Sequence, residues 1–530
     1  MACLAPQMPP MSSKSFAAFL LAALASVSGF SEEARPPRSV VVVVWDGMRP
    51  DFISADTTPN LWKFAAEGVF FAHHHPVYCS STEVNGIALA TGAQPSHSFV
   101  IANVDYRPAI NPQNVIAIEA AETIRRGDEV SGGHYVGRPT VAEILHEHGW
   151  RTVIAGSKPV AMLHDRSRRP NSPDASPVLY EGSVLPPFLE AGLANKFGDF
   201  PPIAEDQDKM ARDAWTTRAL TQSLWSQSVP PFSLLWLSEP DFSQHATAPG
   251  SAQSLAAVKS DDNNFGLVLA ELERRGLRQS TDVIVVSDHG FSTIGWKVDV
   301  AVELSTAGFH AERAALGGLK TGDVLVVSEG GSSLIYVGGH EPETIRRVAA
   351  FLQIQDWCGV VLSRKALDGT FPLAEANIAS PQAPDLVVSL RWSRDKSLLG
   401  ISGLQTSDSP GKKLGNHASL SPFDMHNTLV AAGPDFRKGV TDTLPTGNTD
   451  VAPTVLWLLG LKEEAGRMDG RILGEALAGD APPLRSYEIK RLSASRRTAG
   501  GEWNQYLQVS EVNGVRYLDE GNGAFTVRAR

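Results

Sequence analysis

Three separate apolar runs each end in a carboxylate, and this recurrence limits the fold more than any other feature of the chain. Residues 40–44 are valines that lead into Trp45 and Asp46. Residues 233–237 lead through Ser238, Glu239 and Pro240 into Asp241, with His245 on the next helical turn. Residues 283–286 lead into Ser287, Asp288 and His289. Short β-branched runs bounded by turn residues read as buried strands of a parallel sheet. Ligands of open α/β sheets bind at the carboxyl ends of the strands. Three strands far apart in sequence would therefore aim Asp and His into one crevice. Mixed carboxylate and imidazole donors suit Zn²⁺ or a similar divalent ion.

Each piece alone has a plainer reading. A single Asp after a strand is usually a turn former or a helix N-cap. The recurrence at three strand ends, outside ordinary loops, is what points to a site.

At 530 residues, with 42% hydrophobic and 20% charged residues, the chain can bury a large globular core. Its net charge of −11 argues against a nucleic-acid polymer as partner, because no broad basic surface is available to displace counterions. A small phosphate ester is not excluded, since bound metal ions supply local positive charge.

Residues 1–30 read as a secretory signal. With a start at Met11, Lys14 forms the basic region, residues 16–27 the short apolar region, and Ser26, Ser28 and Gly29 flank a cleavage point. That run is too short to span a bilayer, and no other segment is long enough. The expectation is a secreted or periplasmic protein without stable membrane insertion. Removing the leader removes Cys3. Cys79 and Cys358 remain, too few for a disulfide framework. Nothing in the sequence sets an oligomeric state.

Residues 38–296 alternate strand-like and helix-like patterns. Helices are expected over 140–148, 213–226 and 263–275, and strands follow each of them. Between 297 and 411 the texture changes to a hairpin around Gly330 and Gly331, a helix over 343–352 and two further strands. This reads as an inserted α+β lobe that walls or caps the site. The core pattern resumes over 412–486. Residues 487–530 form a polar C-terminal extension with short edge strands near 506–509 and 515–518.

Ser80, Ser81 and Thr82 precede a small-residue helix closed by Gly92. A hydroxyl at a helix N-terminus meets free N–H groups and the positive end of the dipole, which favours a phosphoryl group. The plainer reading is N-capping.

With these residues assembled, the chain resembles the nucleotide pyrophosphatase/phosphodiesterase (type I phosphodiesterase) family of the alkaline phosphatase superfamily. The matching blocks are VVVVVWDGMRPD (40–51), YCSSTEVNGIALATGAQP (78–95), EPDFSQH (239–245), VIVVSDHGFS (283–292), GNHASLSPFDMHNTLVAAGPDFRKG (415–439) and TDVAPTVLWLLGL (449–461). They run in the family's order. The resemblance implies an alkaline-phosphatase-like α/β fold: a central, mostly parallel sheet flanked by helices on both faces, with the 297–411 lobe inserted. It implies two zinc or similar divalent ions, one held by Asp46, Thr82, Asp288 and His289, the other by Asp241, His245 and His417. His426 competes with His417 for the last position. Thr82 would be the nucleophile, passing through a phosphothreonyl-type intermediate, and Asn103 would contact a phosphoryl oxygen. The substrate would be a small phosphodiester or phosphoanhydride.

There are departures and rivals. Relatives that cut nucleotides usually carry an aromatic residue after the nucleophile, where this chain has Glu83. That carboxylate either enters the site or points away as a helix N-terminal charge. His73, His74 and His75 read as loop or supporting residues, and Cys79 as structural. A phosphomonoesterase or phosphonate monoester hydrolase is the alternative activity, with Arg107 as the suspected cation for the extra charge. A sulfatase ranks low, because residues 79–83 lack the required Pro and Arg. A secreted binding protein with a vestigial site would require a lost ligand, and every ligand position is filled.

Overall fold

A run of valines can bury both faces of a strand, and in the computed structural model the 40–44 run does so at the middle of a nine-stranded sheet. The structure describes residues 38–202, 209–409, 411–479, 481–483 and 486–528. The expected signal at 1–30 lies outside the described residues. In chain order the sheet strands are β1 (Ser39–Trp45), β2 (Val69–His75), β3 (Thr152–Gly156), β4 (Val178–Tyr180), β5 (Ser183–Leu185), β6 (Phe232–Leu237), β7 (Thr281–Val286), β8 (Leu429–Ala432) and β9 (Val440–Gly447). Across the sheet their order is β9-β2-β8-β7-β1-β6-β3-β4-β5. β7, β1, β6 and β3 are adjacent and parallel, so their carboxyl ends share one edge. Only β8 and β5 run against their neighbours.

Helices cover both faces. Five of them carry the argument: α1 (Pro59–Glu67), α2 (Thr82–Thr91), α3 (Val141–Glu147), α4 (Met210–Ala219) and α5 (Ala252–Arg274). Strand period 2 sends Val40, Val42 and Val44 toward Val84 and Ile87 of α2 and Ile144 of α3. Val41, Val43 and Trp45 meet Phe64 of α1, Trp215 of α4 and Phe265 of α5 on the other side. Each such buried side chain contributes roughly 1.5–3 kcal/mol of transfer free energy. α3 starts in a capping box between Thr140 and Glu143. The helix expected over 263–275 is α5, which begins at Ala252, well before the apolar pattern strengthens.

Residues 311–390 build a separate six-stranded sheet. It contains the antiparallel pair Val324–Ser328 and Ser332–Val337, and the helix Pro342–Leu352 packs its apolar face on it. A four-stranded sheet joins Ser292–Val298 to Ser402–Asp408, Trp392–Lys396 and Gly415–Asn416. It straddles both ends of the 297–411 segment.

The short edge strands expected in the tail are in fact a three-stranded antiparallel sheet: Tyr487–Arg497, Gly501–Val512 and Val515–Val527. Its buried positions explain why. Trp503 packs into the 311–390 lobe, while Leu507, Val509 and Leu518 pack with Tyr78 and Cys79. The Gln505 side chain bonds both the N–H and the carbonyl of Val361, at 2.7 and 3.1 Å. Tyr517 Oη donates to Asp450 Oδ2 at 2.7 Å, on the core.

Candidate metal centre

Strand register brings the expected residues together. Asp46 follows β1, Asp288 and His289 follow β7, and Asp241 opens the short helix after β6. Gly47 turns the chain away from Asp46 with φ of +72°. A Cβ there would sit 3.0 Å from the Phe291 ring, so the turn needs glycine. The Gly47 N–H donates to Asp288 Oδ1 at 2.9 Å, tying the first strand end to the third.

All three carboxylates are buried, and each keeps one oxygen in reserve. Asp46 Oδ2 accepts from Trp236 Nε1 and Lys158 Nζ, both at 2.9 Å, while Oδ1 has no hydrogen-bond partner. Asp241 Oδ2 accepts from Lys158 Nζ at 2.7 Å, and Oδ1 has none. Asp288 Oδ1 accepts from Gly47 and His289 N–H, and Oδ2 has none. Buried, unpartnered oxygens are costly unless something else satisfies them.

The imidazoles are prepared in the same way. Nδ1 of His245, His289 and His417 lies 2.9 Å from the carbonyls of Gly415, Gly290 and Ser80 respectively. A carbonyl only accepts, so each Nδ1 carries the proton and each Nε2 keeps its lone pair. His289 Nε2 lies 3.2 Å from Asp288 Oδ2 and 3.6 Å from Asp46 Oδ1. His245 and His417 Nε2 lie 3.3 and 3.7 Å from Asp241 Oδ1. Two groups are compact enough to hold a cation: Asp46, Asp288 and His289, and Asp241, His289 and His417. His289 thus stands between the two sets, with its ring stacked on His417 at 3.8 Å. His245 flanks the second group.

Electrostatics match a site built for cations. Burial, then the charge of Asp288, pushes the Asp46 carboxyl well above the usual range. Burial raises Asp288 to about 7. Against its burial, Lys158 and His245 hold Asp241 well below the usual range. Burial, with His289 and His245 nearby, pushes His417 well down, so it stays neutral. Unpartnered carboxylate oxygens, lone pairs fixed by carbonyls and mutual repulsion all fit divalent metal ions.

Thr82 is the first residue of α2, after the N-cap Ser81, and its Oγ1 lies 3.3 Å from His289 Nε2. Thr82 and Asn103 open onto one cavity of about 660 Å³. Asn103 Oδ1 accepts from Glu83 N–H at 3.0 Å, which leaves its Nδ2 as a donor. Glu329 clamps the loop through the N–H groups of Asn103 and Val104, at 2.8 and 3.0 Å. Arg313, Ser328, Glu329 and Asp408 of the 297–411 segment form one wall.

The structure sorts the remaining readings. Glu83 does not point away: it is 6% exposed, lines the cavity and faces Glu119. Arg107 is not at the site. Its Nε donates to Asp105 at 2.9 Å, its guanidinium lies over Tyr135, and it borders a different cavity. The cavity's cations are Lys158, Arg313 and Lys413. His426 turns elsewhere, with its ring 4.9 Å from His75 and 5.5 Å from His73. The three successive histidines lie on β2 and not in a loop. Among them His74 bonds Thr446 and Asn448, and Asn448 donates to the Asp288 carbonyl at 2.6 Å. Cys79 is buried, and burial pushes its thiol well up, which suits a structural role.

Sequence reasoning missed Lys158 and Asp213. Lys158 lies two residues past β3, a strand whose end carries no ligand-type residue. Asp213 sits inside α4, where no local pattern marks it. It accepts from Ser157 Oγ, Ser238 N–H at 2.7 Å and Glu239 N–H at 3.0 Å, and so braces two strand ends.

Comparison with known proteins agrees with this geometry. Residues 40–388 match the family model described as type I phosphodiesterase / nucleotide pyrophosphatase. The chain is 22% identical over 440 residues to bis(5'-adenosyl)-triphosphatase enpp4 of Mus musculus, covering 82% of this chain and 80% of that protein. It is 22% identical over 283 residues to ectonucleotide pyrophosphatase/phosphodiesterase family member 7 of Rattus norvegicus, covering 53% of this chain and 56% of that one. Among solved structures, murine ectonucleotide pyrophosphatase / phosphodiesterase 5, an inactive threonine-to-alanine variant in complex with AMP, superposes with a TM-score of 0.56. That match has 18% identity and covers 80% of this chain and 95% of the murine one. No helix of the described residues is long and apolar enough to cross a membrane.

Proposed function

The chain belongs to the type I phosphodiesterase / nucleotide pyrophosphatase family, and on that premise we propose that it hydrolyses phosphodiester or phosphoanhydride bonds through a covalent phosphothreonyl intermediate at Thr82. The observation that carries this reading is the convergence of three half-satisfied buried carboxylates and three histidine Nε2 lone pairs beside a hydroxyl at a helix N-terminus.

Asp46, Asp288, His289 and Thr82 would hold one divalent ion, and Asp241, His245 and His417 a second. Zinc suits this donor set. When bound, the ions lower the pKa of the Thr82 hydroxyl and offset charge on the attacking and leaving oxygens. The chain's own groups do the rest. Thr82 Oγ attacks phosphorus in line and the alcohol or phosphate leaves. Water then cleaves the phosphothreonyl ester, freeing Thr82 and releasing the second product. The Asn103 amide and the α2 N-terminus stabilise charge on the transferring oxygens. Murine phosphodiesterase 5, inactive as a threonine-to-alanine variant, supports a threonine nucleophile.

The substrate would be a small phosphate ester. The AMP held by the murine protein supports a nucleotide, whereas Glu83 beside the nucleophile offers no apolar slot for a base. We assign residues 297–411 as a cap that sets the substrate. Export through the N-terminal segment accords with relatives named as ectoenzymes.

The test is hydrolysis of matched p-nitrophenyl diester, monoester and sulfate substrates by zinc-loaded protein, with Thr82→Ala alongside. A diester preference that disappears in Thr82→Ala is expected. Diester turnover that survives Thr82→Ala would refute the nucleophile.

A further inference from the structure

Four adjacent parallel strands share one carboxyl edge, and one of them delivers a cation to the cavity. β3 closes with Gly156, and Lys158 follows, beside the ends of β6 and β1. Its ammonium bridges the two candidate metal sets. Nζ donates to Asp46 Oδ2 at 2.9 Å and to Asp241 Oδ2 at 2.7 Å. The choice of oxygens matters. Lys158 takes Oδ2 of both aspartates and leaves Oδ1 of both unpartnered, facing histidine Nε2 atoms. The lysine therefore does not compete for the oxygens a metal would use, and it can stay in place when the metals are bound.

An ammonium has three N–H donors, and the two aspartates use two. Lys158 is 8% exposed, and the surface it keeps lies on the cavity shared with Thr82 and Asn103. The Phe242 ring face, 4.7 Å from Nζ, and the following Pro159 limit where the head group can go. A buried cation held this tightly, with one donor remaining, is prepared for an anion.

We propose that Lys158 is a substrate-binding residue of this reaction: its third N–H holds a non-bridging oxygen of the transferring phosphoryl group and favours esters that carry a second negative charge there. This rests on the function proposed above. Lys158 then fills the role that Arg107 cannot, and it sets the balance between diesters and monoesters. Glu83 and Glu119 face the same cavity and lie close enough to feel its charge. Without Lys158 no cation lies between Asp46 and Asp241 to meet that second charge, so its removal leaves a cavity that admits diesters more readily than monoesters.

The test separates binding from turnover. Inorganic phosphate is titrated calorimetrically into zinc-saturated Thr82→Ala protein, with and without Lys158→Met, and zinc content is measured in each. Lys158→Arg, which keeps the charge, accompanies both as a folding control. The expected result is unchanged zinc content and phosphate binding weaker by about ten- to a hundredfold in Lys158→Met, the range of a charge-assisted hydrogen bond. In the Thr82 background of the native chain, Lys158→Met should lower kcat/KM for the p-nitrophenyl monoester at least tenfold more than for the diester. Phosphate binding unaffected by Lys158→Met, or no phosphate binding by the zinc-saturated Thr82→Ala protein, would overturn the proposal. Failure of the Thr82 assignment alone reads differently: phosphate still binds in a Lys158-dependent way while diester hydrolysis survives Thr82→Ala.

Discussion

Asp282 offers a quantitative check on the electrostatics of the core, away from the site. It lies near the start of β7, at the opposite end of the strand from Asp288. Its Oδ1 accepts from Asp435 N–H at 3.1 Å, its Oδ2 has no partner, and Gly433 packs against it so closely that a Cβ would sit 2.3 Å from Oδ1. Burial, and then the neighbouring Asp435 carboxylate, raises Asp282 to about 7, from an ordinary 3.8. The sign follows directly. In the unfolded chain the carboxyl loses its proton near pH 4, whereas in the folded protein it keeps it until about pH 7. The folded state binds the extra proton between those values, so the contribution to stability is present in full below pH 4 and is lost as pH rises through 7. At about 1.4 kcal/mol per unit, the loss reaches at most about 4 kcal/mol.

Asp282→Asn removes that loss. The Asn Oδ1 still accepts from Asp435 N–H, and its amide N–H replaces the unpartnered oxygen beside the Asp435 carboxylate. With an unfolding entropy of roughly 2.1 cal/mol/K per residue, a chain of this size shifts its midpoint by about 1 °C per kcal/mol. Thermal unfolding at pH 5 and pH 8, for both proteins, gives the comparison. The variant should gain about 2–4 °C on the native chain at pH 8 and at most half of that at pH 5, with kcat/KM unchanged. Parallel pH profiles for the two proteins would refute the reasoning, because they would mean that Asp282 titrates alike in the folded and unfolded states.

The site yields three further predictions. Asp288→Ala should abolish diester turnover and cost no more than about 2 kcal/mol in urea unfolding, because the N–H bonds from Gly47 and His289 are lost while repulsion with Asp46 is relieved; retained turnover refutes the site. Chelation by EDTA should abolish activity and lower the unfolding midpoint, with both restored by zinc, since metal bound only to the folded state stabilises it by RT ln(1 + [L]/Kd); a midpoint indifferent to chelator and zinc sinks the metal reading. Asp213→Ala should lower kcat/KM at least tenfold as well as stability, because the Ser238 and Glu239 N–H groups that lead into Asp241 lose their acceptor; lower stability with normal kcat/KM would make Asp213 a purely structural residue.

Much of this could be read from the chain, and the reasons are local. A buried parallel strand has to be apolar on both faces, so residues 40–44, 233–237 and 283–286 stood out, and the residue at each end had to meet the crevice. The 252–262 half of α5 did not stand out, because its buried positions include Asp261 and Asp262. Asp262 accepts from the N–H groups of Asn60 and Leu61, a tertiary arrangement that leaves no periodic trace. The strand Tyr487–Arg497 was hidden for the opposite reason. It is mostly exposed along its length and is held by backbone pairing to Gly501–Val512, so no apolar alternation marks it.

The residues that sequence reasoning missed share a cause. Ligand types are recognisable because few side chains can bind a metal, whereas the groups that hold ligands in place can be almost anything. Asp213 positions Asp241 from another helix, through two backbone N–H groups. Asn448 reaches the Asp288 carbonyl, and Ser80 fixes His417 through its carbonyl alone. None of these contacts depends on a short spacing in the chain, so each becomes visible only when the sheet order is known. Lys158 belongs with them. Its meaning comes from lying between Asp46 and Asp241, and that place exists only because β3, β6 and β1 are neighbours. The candidate metal ligands are therefore the legible half of the centre, and the specificity proposed for Lys158 would be carried by the half that only the fold assembles.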